Sequence, residues 1–315
     1  MKRKHFFLFL LLFVLSFSIY AEKVRLLSFN IQGTTSKRND EKWIEQISSV
    51  IKDSKADIVL LQEFPIKDGD REIIDKFLSQ LGNKNWEFFC TDKYIKAGKK
   101  FTLNNIVFFN HYSVLSAPYN DNSLVNFEAP KCSYSFENNN VQLIYFCLFS
   151  AQTKEFLVVN VHLPFPSDKK STEKYNSDLE ELSKLYSKFS YDYDIVIGGD
   201  FNTSRSDLLK KHTFNDAIID GQFGKFTQYQ GLLTTLSNGN DKNRYHGIKL
   251  ASDYDHFIVK GPKIAKEMKH SFYWGNDSGN DSYSEIEIGS KSYKTGKSFE
   301  SGVSDHLPVL IELEF

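Results

Sequence analysis

Short apolar runs bounded by polar turns recur along the chain and predict a protein rich in β-strands. Each run is rich in Val, Ile, Leu and Phe, a composition that favours strands. We predict strands over residues 24–29, 57–61, 105–109, 141–149, 155–161, 195–197, 256–259 and 309–314.

Apolar residues spaced three and four apart indicate helices between some of these strands. The spacing recurs at Ile44, Ile47 and Ile51, and again at Tyr175, Leu179, Leu182, Tyr186 and Phe189. No internal repeat and no Pro-, Gly- or Ser-rich linker divides the chain, so we predict one domain over residues 22–315. Many strands with a few intervening helices favour an α/β architecture in which the helices pack outside the sheets.

The first 21 residues have the pattern of a secretory signal peptide. A basic start at Lys2, Arg3 and Lys4 precedes an uncharged apolar run over residues 6–19, and Ala21 offers a small residue for cleavage. The alternative is an uncleaved membrane anchor, but the run would span only about two thirds of a ~30 Å hydrocarbon core. We therefore predict residues 1–21 as a signal peptide and a secreted or periplasmic location for the protein.

The composition excludes several classes of protein. The 315 residues carry 39 Lys and Arg against 40 Asp and Glu, a formal net charge of -1, and loss of the signal peptide makes that charge more negative. This balance excludes a polybasic arm that would hold nucleic acid by charge alone. The 3 Cys exclude a disulfide-framework scaffold and a four-cysteine zinc site.

Cys132 and Cys147 are candidates for a disulfide. A two-residue hairpin turn at Asn139 and Asn140 would place the cysteines opposite each other, with Cα atoms about 5.5 Å apart. The alternative is a pair of small buried thiols, and both interpretations stay open.

Polar residues that follow or interrupt the apolar runs form the candidate site. A single Asp, Asn or His at a strand end is usually a turn former, a helix cap or a structural hydrogen-bonding residue. Here the strand ends repeatedly carry carboxylate, amide or imidazole groups, and the set as a whole matches the needs of metal-assisted phosphodiester hydrolysis. Its members are Asn30, Glu63, His162, Asp200, Asn202, Asp255, Asp305 and His306.

The carboxylates and amides of this set suit a hard cation and an attacking water. Oxygen ligands for a divalent cation could come from Glu63 together with Asn30 or Asp305. Asp200 is suited to handle the nucleophilic water, and the Asn202 amide can donate to the charge that develops on the phosphate.

The two imidazoles allow acid and base chemistry in the same site. One of His162 and His306 could help to deprotonate water while the other protonates the leaving oxygen, and Asp255 could fix the tautomer of one of them. Because positioning and charge neutralisation carry such a reaction, it needs no covalent nucleophile.

Six segments, taken in order, carry a resemblance to a known family. SFNIQG, LLQEF, NVHLPFPSD, GGDFN, DYDHFIV and SDHLPV resemble the motifs of the endonuclease/exonuclease/phosphatase superfamily, which includes deoxyribonuclease I-like nucleases and bacterial sphingomyelinases. The resemblance covers residues 24–315. It implies a four-layered α/β sandwich of two mainly antiparallel β-sheets flanked by helices. It also implies dependence on Mg²⁺, with Mn²⁺ or Ca²⁺ also possible.

The resemblance carries roles over to individual positions. It makes Asn30 and Glu63 metal-site residues, and Asp305 either a further metal-site residue or a carboxylate that orients a histidine. Asn105 resembles an Asn that precedes the family's central strand, where it could contact substrate or His162, or could equally be a strand-edge amide.

The remaining roles concern the reacting groups. The resemblance makes His162 and His306 the paired catalytic histidines, with Asp255 as the residue that orients His306. Asp200 and Asn202 become the pair that handles water and phosphate.

Superfamily membership does not define the substrate. The segments NVHLPFPSD and DYDHFIV are most similar to secreted deoxyribonuclease I-like enzymes, which favours a monomeric nuclease acting on DNA. Pro65 stands where those nucleases place an Arg that enters the DNA groove, and no acidic residue near Asn104 and Asn105 is available to pair with His162. A solvated face is the favoured interpretation of a set of basic residues that are also candidate phosphate contacts: Lys93, Lys96, Lys99, Lys100, Arg205, Lys210 and Lys211.

Two other functions remain as alternatives. A sphingomyelinase acting on membrane lipid would need an aromatic hairpin shortly before the SDH segment, whereas Phe272, Tyr273 and Trp274 lie well upstream and suit a core or an edge strand. A non-catalytic secreted binding module is disfavoured, because degenerate relatives are expected to lose some site residues and all of them are present here.

Overall fold

The computed structural model describes most of the chain from Lys23 onward. The described residues are 23–34, 37–66, 72–82, 86–90, 95–97, 101–110, 114–115, 145–151, 154–210, 214, 216–219, 235–236, 248–270, 282–283, 286–288, 290–294 and 296–315. Within these ranges no helix is both long and apolar enough to cross a membrane.

Strands outnumber helices in the described residues. The strands are β1 Lys23–Asn30, β2 Ile58–Ile66, β3 Trp86–Cys90, β4 Ile95–Ala97, β5 Phe101–Asn110, β6 Val114–Leu115, β7 Tyr145–Ala151, β8 Lys154–His162, β9 Asp194–Asp200, β10 Ile218–Ile219, β11 Thr235–Leu236, β12 Ile248–Ser252, β13 Asp255–Lys260, β14 Lys263–His270, β15 Ser282–Tyr283, β16 Ile286–Ile288, β17 Lys291–Tyr293 and β18 Val309–Glu314. The helices are α1 Glu41–Ser54, α2 Glu72–Leu81, α3 Lys169–Phe189, α4 Arg205–Lys210 and α5 Gly296–Gly302, with a 3-10 turn at Lys37–Asn39.

Most of the strands form two large mixed sheets. The first has the order β14-β18-β1-β2-β5-β3, with β4 also pairing with β5, and the second has the order β10-β13-β9-β8-β7-β6. The pairs β1 with β2 and β8 with β9 are parallel, and the other recorded pairs in these sheets are antiparallel. A parallel pair needs a crossover connection, and α1 and α3 supply it in the two sheets.

Alternating side chains along each strand build a four-layered sandwich. In β1, Leu27 and Phe29 pack in the cluster that contains the apolar faces of α1 and α2, while Leu26 packs in the cluster between the sheets. In β8, Val158 joins the cluster between the sheets, and Val159 packs with the apolar face of α3. The observed α/β sandwich of two sheets flanked by helices confirms the predicted fold class.

The predicted helices and strands are present among the described residues, with shifted boundaries, and the first four residues of the strand predicted over 141–149 lie outside them. Helix α1 begins after Asp40, whose side chain accepts from the backbone N–H groups of Lys42 and Trp43, and it ends at Lys55 in the left-handed conformation. The strand predicted over residues 57–61 continues to Ile66, because a register shift after Leu61 lets it resume its pairing with β5.

Several elements were not predicted from the pattern of apolar residues. They include α2, a helix of 10 residues, and β14, whose segment KIAKEMKH lies at the edge of the first sheet. The buried residues of α2, Ile73, Ile74, Phe77 and Leu81, do recur at helical spacing, so the signal for this helix was present and was missed, whereas β14 has no regular apolar alternation.

Some sequence predictions lie outside the described residues. The proposed disulfide is one, because Cys132 and the turn residues Asn139 and Asn140 are not described. The signal peptide, the aromatic triplet at residues 272–274 and Lys93, Lys99, Lys100 and Lys211 lie outside them as well.

We expect Gly199 in β9 to be intolerant of any side chain. Its φ is +152°, and a Cβ there would lie 1.9 Å from the backbone oxygen of Val161 in the neighbouring strand. Gly199→Ala should therefore lower the free energy of unfolding by more than about 4 kcal/mol, measured as the shift of the urea unfolding midpoint.

Gly82 provides the matched control for this substitution. It also has a positive φ, +68°, but the nearest atom to its Cβ position is 4.0 Å away. Gly82→Ala should cost only about 1 kcal/mol. Equal losses in the two variants would show that backbone conformation, and not the close approach of β8, limits position 199.

Candidate active site

Strand pairing brings the predicted site residues to one edge of the sandwich. In the second sheet Asp200 is the direct register partner of His162 on one side and of Asp255 on the other. In the first sheet the parallel pairing aligns Asn30 with the residue before Glu63. Residues from distant parts of the chain therefore meet because their strands end at the same level.

Glu63 lies in an irregularity of β2. Its φ is 56°, a left-handed value that is uncommon outside glycine, and it falls within the register shift between Leu61 and Phe64. The backbone oxygen of Glu63 accepts from the N–H of Gly33 at 3.1 Å. A Cβ on residue 33 would collide with the same oxygen, so this close approach requires glycine. The loop after β1 thus holds the bulge that presents the Glu63 carboxylate.

Asp200 is the centre of the cluster. Its Oδ2 accepts from Asn30 Nδ2 at 3.0 Å and lies 3.6 Å from His162 Nε2 and 3.8 Å from His306 Nε2. The side chain is almost completely buried, and this burial raises its pKa. A buried carboxylate with a raised pKa and convergent polar partners is typical of a functional site.

His306 is held by hydrogen bonds on several sides. Its Nδ1 lies 2.8 Å from Asp255 Oδ2, and its backbone N–H donates to Ser304 Oγ at 3.1 Å. The Ser304 hydroxyl in turn donates to the backbone oxygen of Asn30 at 2.7 Å, which ties this loop to β1. Burial opposes the charged imidazole, but the carboxylates of Asp255, Asp200 and Asp305 raise the pKa of His306 to about 10.

Asn202 forms a tight turn around Asp200. It has a φ of 49°, and its backbone N–H donates to Asp200 Oδ1 at 2.8 Å. Its side-chain amide donates to the backbone oxygen of Leu163 at 2.7 Å and lies 3.4 Å from Asp200 Oδ2. The structure therefore places Asn202 in the site, with its amide linked to the segment that follows His162.

Asn30 presents hydrogen-bond donors, not its oxygen, to the carboxylates. Nδ2 donates to Asp200 and also to Glu63 Oε1 at 3.2 Å, while Oδ1 accepts from the backbone N–H of Gln32 at 3.0 Å. In this arrangement Asn30 holds the two acidic side chains together.

Asp305 lies at the more open side of the site. Its Oδ1 is 3.9 Å from His306 Nε2 and its side chain is 38% exposed. Burial raises the pKa of Asp305; the positive charge of His306 opposes the rise, and the negative charge of Glu63 adds to it. Lys37 reaches the same region, where its ammonium donates to the backbone oxygen of Val303 at 3.2 Å.

Asn105 is buried and belongs to the layer beneath the site. Its amide donates to the backbone oxygen of Asn160 at 3.4 Å, so it links β5 to β8 two residues before His162. The structure places it in contact with the strand that carries His162, and its part in substrate binding stays a prediction.

A buried polar contact between the two sheets was not predicted. Gln62 Nε2 donates to Asn160 Oδ1 at 2.8 Å, and Asn160 Nδ2 donates to the backbone oxygens of Leu61 and Ile106 at 3.0 Å each. The sequence contains a signal for it, because each amide interrupts an otherwise apolar buried strand. Since each amide is adjacent or nearly adjacent to Glu63 or His162, this contact holds the two halves of the site in register.

The donor set fits a hard divalent cation. Glu63, Asp200 and Asp305 place carboxylate oxygens in one partly buried site, where their mutual repulsion favours a bound positive charge. Asp200, Asp255 and His306 also have potential ligand atoms within 4.8 Å of one another. Of these three residues, Asp255 and His306 already pair with each other at 2.8 Å.

One predicted phosphate contact was wrong. Arg205 is only 1% exposed, its Nε donates to the backbone oxygen of Ile219, and its backbone N–H donates to Asp253. Its guanidinium therefore lies in the interior, hydrogen-bonded to β10 of the second sheet. Lys210 is exposed and pairs with Asp207 at 3.0 Å.

A model of the endonuclease/exonuclease/phosphatase family matches residues 27–306, which is most of the chain. The chain belongs to this family. Endonuclease/exonuclease/phosphatase enzymes are hydrolases that act on phosphoric ester bonds, and they generally depend on a divalent metal. A comparison with curated protein sequences finds no match.

Several solved structures share the fold of this chain. A family protein from Leptotrichia buccalis is 14% identical with a TM-score of 0.58, covering 93% of this chain and 100% of its own. A protein from Bacteroides vulgatus is 16% identical with a TM-score of 0.58, over 93% and 99% of the two chains. D. rerio TDP2 in complex with a single-stranded DNA product is 10% identical with a TM-score of 0.56, over 93% and 100%.

We expect Asp255 to control the protonation of His306. In metal-free protein His306 should stay protonated above pH 8, because its pKa is raised to about 10. Asp255→Asn removes the nearest negative charge and should lower that pKa by about 1 to 3 units. A pH titration of the histidine ring protons by NMR measures the change, with Asp192→Asn, an exposed carboxylate on another loop, as the control. An unchanged titration in Asp255→Asn would contradict this assignment.

Proposed function

We propose that the protein is a secreted or periplasmic Mg²⁺-dependent phosphodiesterase that cleaves DNA. The observation that carries the proposal is the position of the buried Asp200 carboxylate, which has both imidazole Nε2 atoms within 4 Å of a single oxygen. A phosphodiester hydrolase needs a base for water and cationic or donor groups for the phosphate, and this cluster contains both.

Asp200 is the proposed base. Burial raises its pKa, and a carboxylate with a raised pKa is a better acceptor for the proton of an attacking water. Asn30 Nδ2 and the backbone N–H of Asn202 donate to its two oxygens, so the carboxylate has a defined orientation. The Asp200 carboxylate could therefore accept the proton of the water without changing its orientation.

His306 is the proposed cation that receives the phosphate. Asp255 at Nδ1 holds the ring and favours its charged form, which leaves Nε2 directed toward Asp200. His162 Nε2 lies between Glu63 Oε1, at 3.7 Å, and Asp200 Oδ2, at 3.6 Å. We assign His162 to protonation of the leaving oxygen, because it is the second imidazole within reach of the same centre.

Glu63 and Asp305 would hold the divalent cation. When bound, Mg²⁺ would neutralise charge on the phosphate oxygens. Lys37, beside the same carboxylates, would supply a fixed positive charge at the edge of the site.

DNA is the proposed substrate class. Support comes from the motifs that resemble deoxyribonuclease I-like enzymes, and from the fold shared with D. rerio TDP2, which was solved with a single-stranded DNA product. The aromatic triplet at residues 272–274, which the sphingomyelinase alternative would need, lies outside the described ranges.

Export is the second part of the proposal and rests on the N-terminal pattern. Expression of the full chain with its native N-terminus should yield an exported protein whose first residue is Glu22. N-terminal sequencing of the exported fraction tests this, and a retained, uncleaved chain would favour the membrane-anchor alternative.

We expect residues 22–315 to degrade DNA with Mg²⁺ and to lose this activity in EDTA. His162→Ala and His306→Ala should each lower kcat about 10² to 10⁴-fold, because each removes a group that moves or holds a proton in the transition state. Rates on double-stranded DNA, single-stranded DNA, RNA and sphingomyelin liposomes provide the measurement.

Glu63→Gln and Glu87→Gln form a matched pair for the metal site. Glu63 lies in the cluster, whereas Glu87 is an exposed residue of β3. Only Glu63→Gln should raise the Mg²⁺ concentration needed for half-maximal rate. Cleavage of sphingomyelin with DNA untouched would replace the nuclease proposal, and intact substrates throughout would favour a binding module.

A further inference from the structure

Exposed aromatic side chains are rare in the described residues. Among them the large hydrophobic side chains that are exposed are Phe165, at 52%, and Tyr191, at 90%. Phe165 comes three residues after His162, while Tyr191 lies in the turn that precedes β9, at the opposite end of that strand from Asp200. A single exposed aromatic ring is common on protein surfaces, so the case for a role of Phe165 rests on its place in the chain close to His162 and on the contacts of its segment.

The segment that carries Phe165 is tied to the site at its start. The backbone N–H of Leu163 donates to the backbone oxygen of Asp200 at 2.9 Å, and the Leu163 oxygen accepts from the Asn202 side chain at 2.7 Å. Phe165 is two residues further along, so its position relative to the site is set by these two hydrogen bonds.

The same segment is rigid on both sides of Phe165. Pro164 and Pro166 flank it, and a proline restricts both its own φ and the conformation of the preceding residue. The Phe165 oxygen accepts from the N–H of Ser167 at 2.9 Å, and Asp168 then begins α3 with a capping box. The ring is thus presented on a backbone with little freedom to lose on binding.

Tyr254 completes an aromatic pair. Its ring centroid lies 6.0 Å from that of Phe165, with an interplanar angle of 54°. The Tyr254 backbone oxygen accepts from the N–H of Phe201 at 2.8 Å, and the next residue is Asp255, the partner of His306. Both rings therefore belong to segments that directly adjoin residues of the cluster formed by Asp200, Asp255 and His306.

We propose that Phe165 and Tyr254 form a stacking site for a nucleobase of the substrate, next to the scissile phosphate. The inference rests on the proposed function and deepens it, because it names the recognised group. An aromatic ring stacks on any base whose face is exposed, so the site suits unpaired bases in single strands or at frayed ends. The exposed Lys169 and Lys170 begin α3 and supply positive charge for the nucleic-acid backbone, although Lys169 lies 4.0 Å from Glu173 and the carboxylate of Asp168 caps the same helix.

The surroundings favour a base over a lipid chain. Phe165 is half exposed and leans on Tyr254, and its neighbours Ser167, Lys169 and Lys170 are exposed and polar. A segment that inserts into a membrane would present an apolar surface, whereas a stacking site needs one ring face with polar groups around it.

Phe165→Ala, Phe165→Trp and Tyr191→Ala test the inference with a single-stranded oligodeoxynucleotide and with the same oligomer in which tetrahydrofuran replaces every base. Phe165→Ala should raise KM for the normal oligomer about tenfold, while Phe165→Trp retains low KM. Tyr191→Ala should match the wild type, and all variants should be equal on the baseless oligomer. Equal melting temperatures would confirm that the variants are folded.

Binding of both oligomers, measured by fluorescence anisotropy in EDTA, separates this inference from the proposed function. Base-dependent binding that Phe165→Ala weakens would support the stacking site even if the wild type cleaves no DNA. Weakened binding of the two oligomers to the same extent would overturn it, as would wild-type behaviour of Phe165→Ala in both assays. A Phe165→Ala effect confined to sphingomyelin liposomes would also overturn it and indicate a lipid contact.

Discussion

The burial of the Asp200 carboxylate is the constraint on which the site depends. A buried negative charge is costly unless polar groups surround it, and here Asn30, Asn202, His162 and His306 all lie within 4 Å of its oxygens. These partners come from both sheets and from the loop before β18. The groups that offset the cost of burying the Asp200 carboxylate are thus the same groups to which the proposed phosphodiester hydrolysis assigns roles.

The architecture supplies these partners through two parallel strand pairs. Each pair needs a helical crossover, and each ends with polar residues at the same edge of its sheet. The contact between Gln62 and Asn160 then holds the two sheets in register directly beneath Glu63 and His162. The polar groups of this contact are costly to bury without partners, so they help to specify one alignment of the sheets.

Backbone conformation also reflects the site. Of the five non-glycine residues with positive φ in the described ranges, Gln32, Glu63 and Asn202 border the cluster. Such conformations are unfavourable for residues with a side chain and persist where the surrounding structure imposes them. Here hydrogen bonds hold two of the strained positions: Gly33 donates to Glu63, and Asn202 donates to Asp200 and Leu163.

The apolar pattern was sufficient to predict the buried strands, α1, α3 and helices packed outside the sheets, because burial imposes hydrophobic residues at positions that the sequence displays directly. The four-layered sandwich was predicted from the resemblance to the family. The polar strand ends likewise identified residues that the structure brings together. The edge strand β14 was missed because its sequence has no regular apolar alternation, whereas α2 was missed although its buried residues have helical spacing. Residue chemistry alone also misplaced Arg205, which packs in the interior. Strand register and contacts between residues far apart in the chain determine the remaining features. These are the distances within the site, the left-handed conformation of Glu63, the donor orientation of Asn30 and the pairing of Phe165 with Tyr254. Only the tertiary structure could decide these features, because no local pattern in the sequence encodes them.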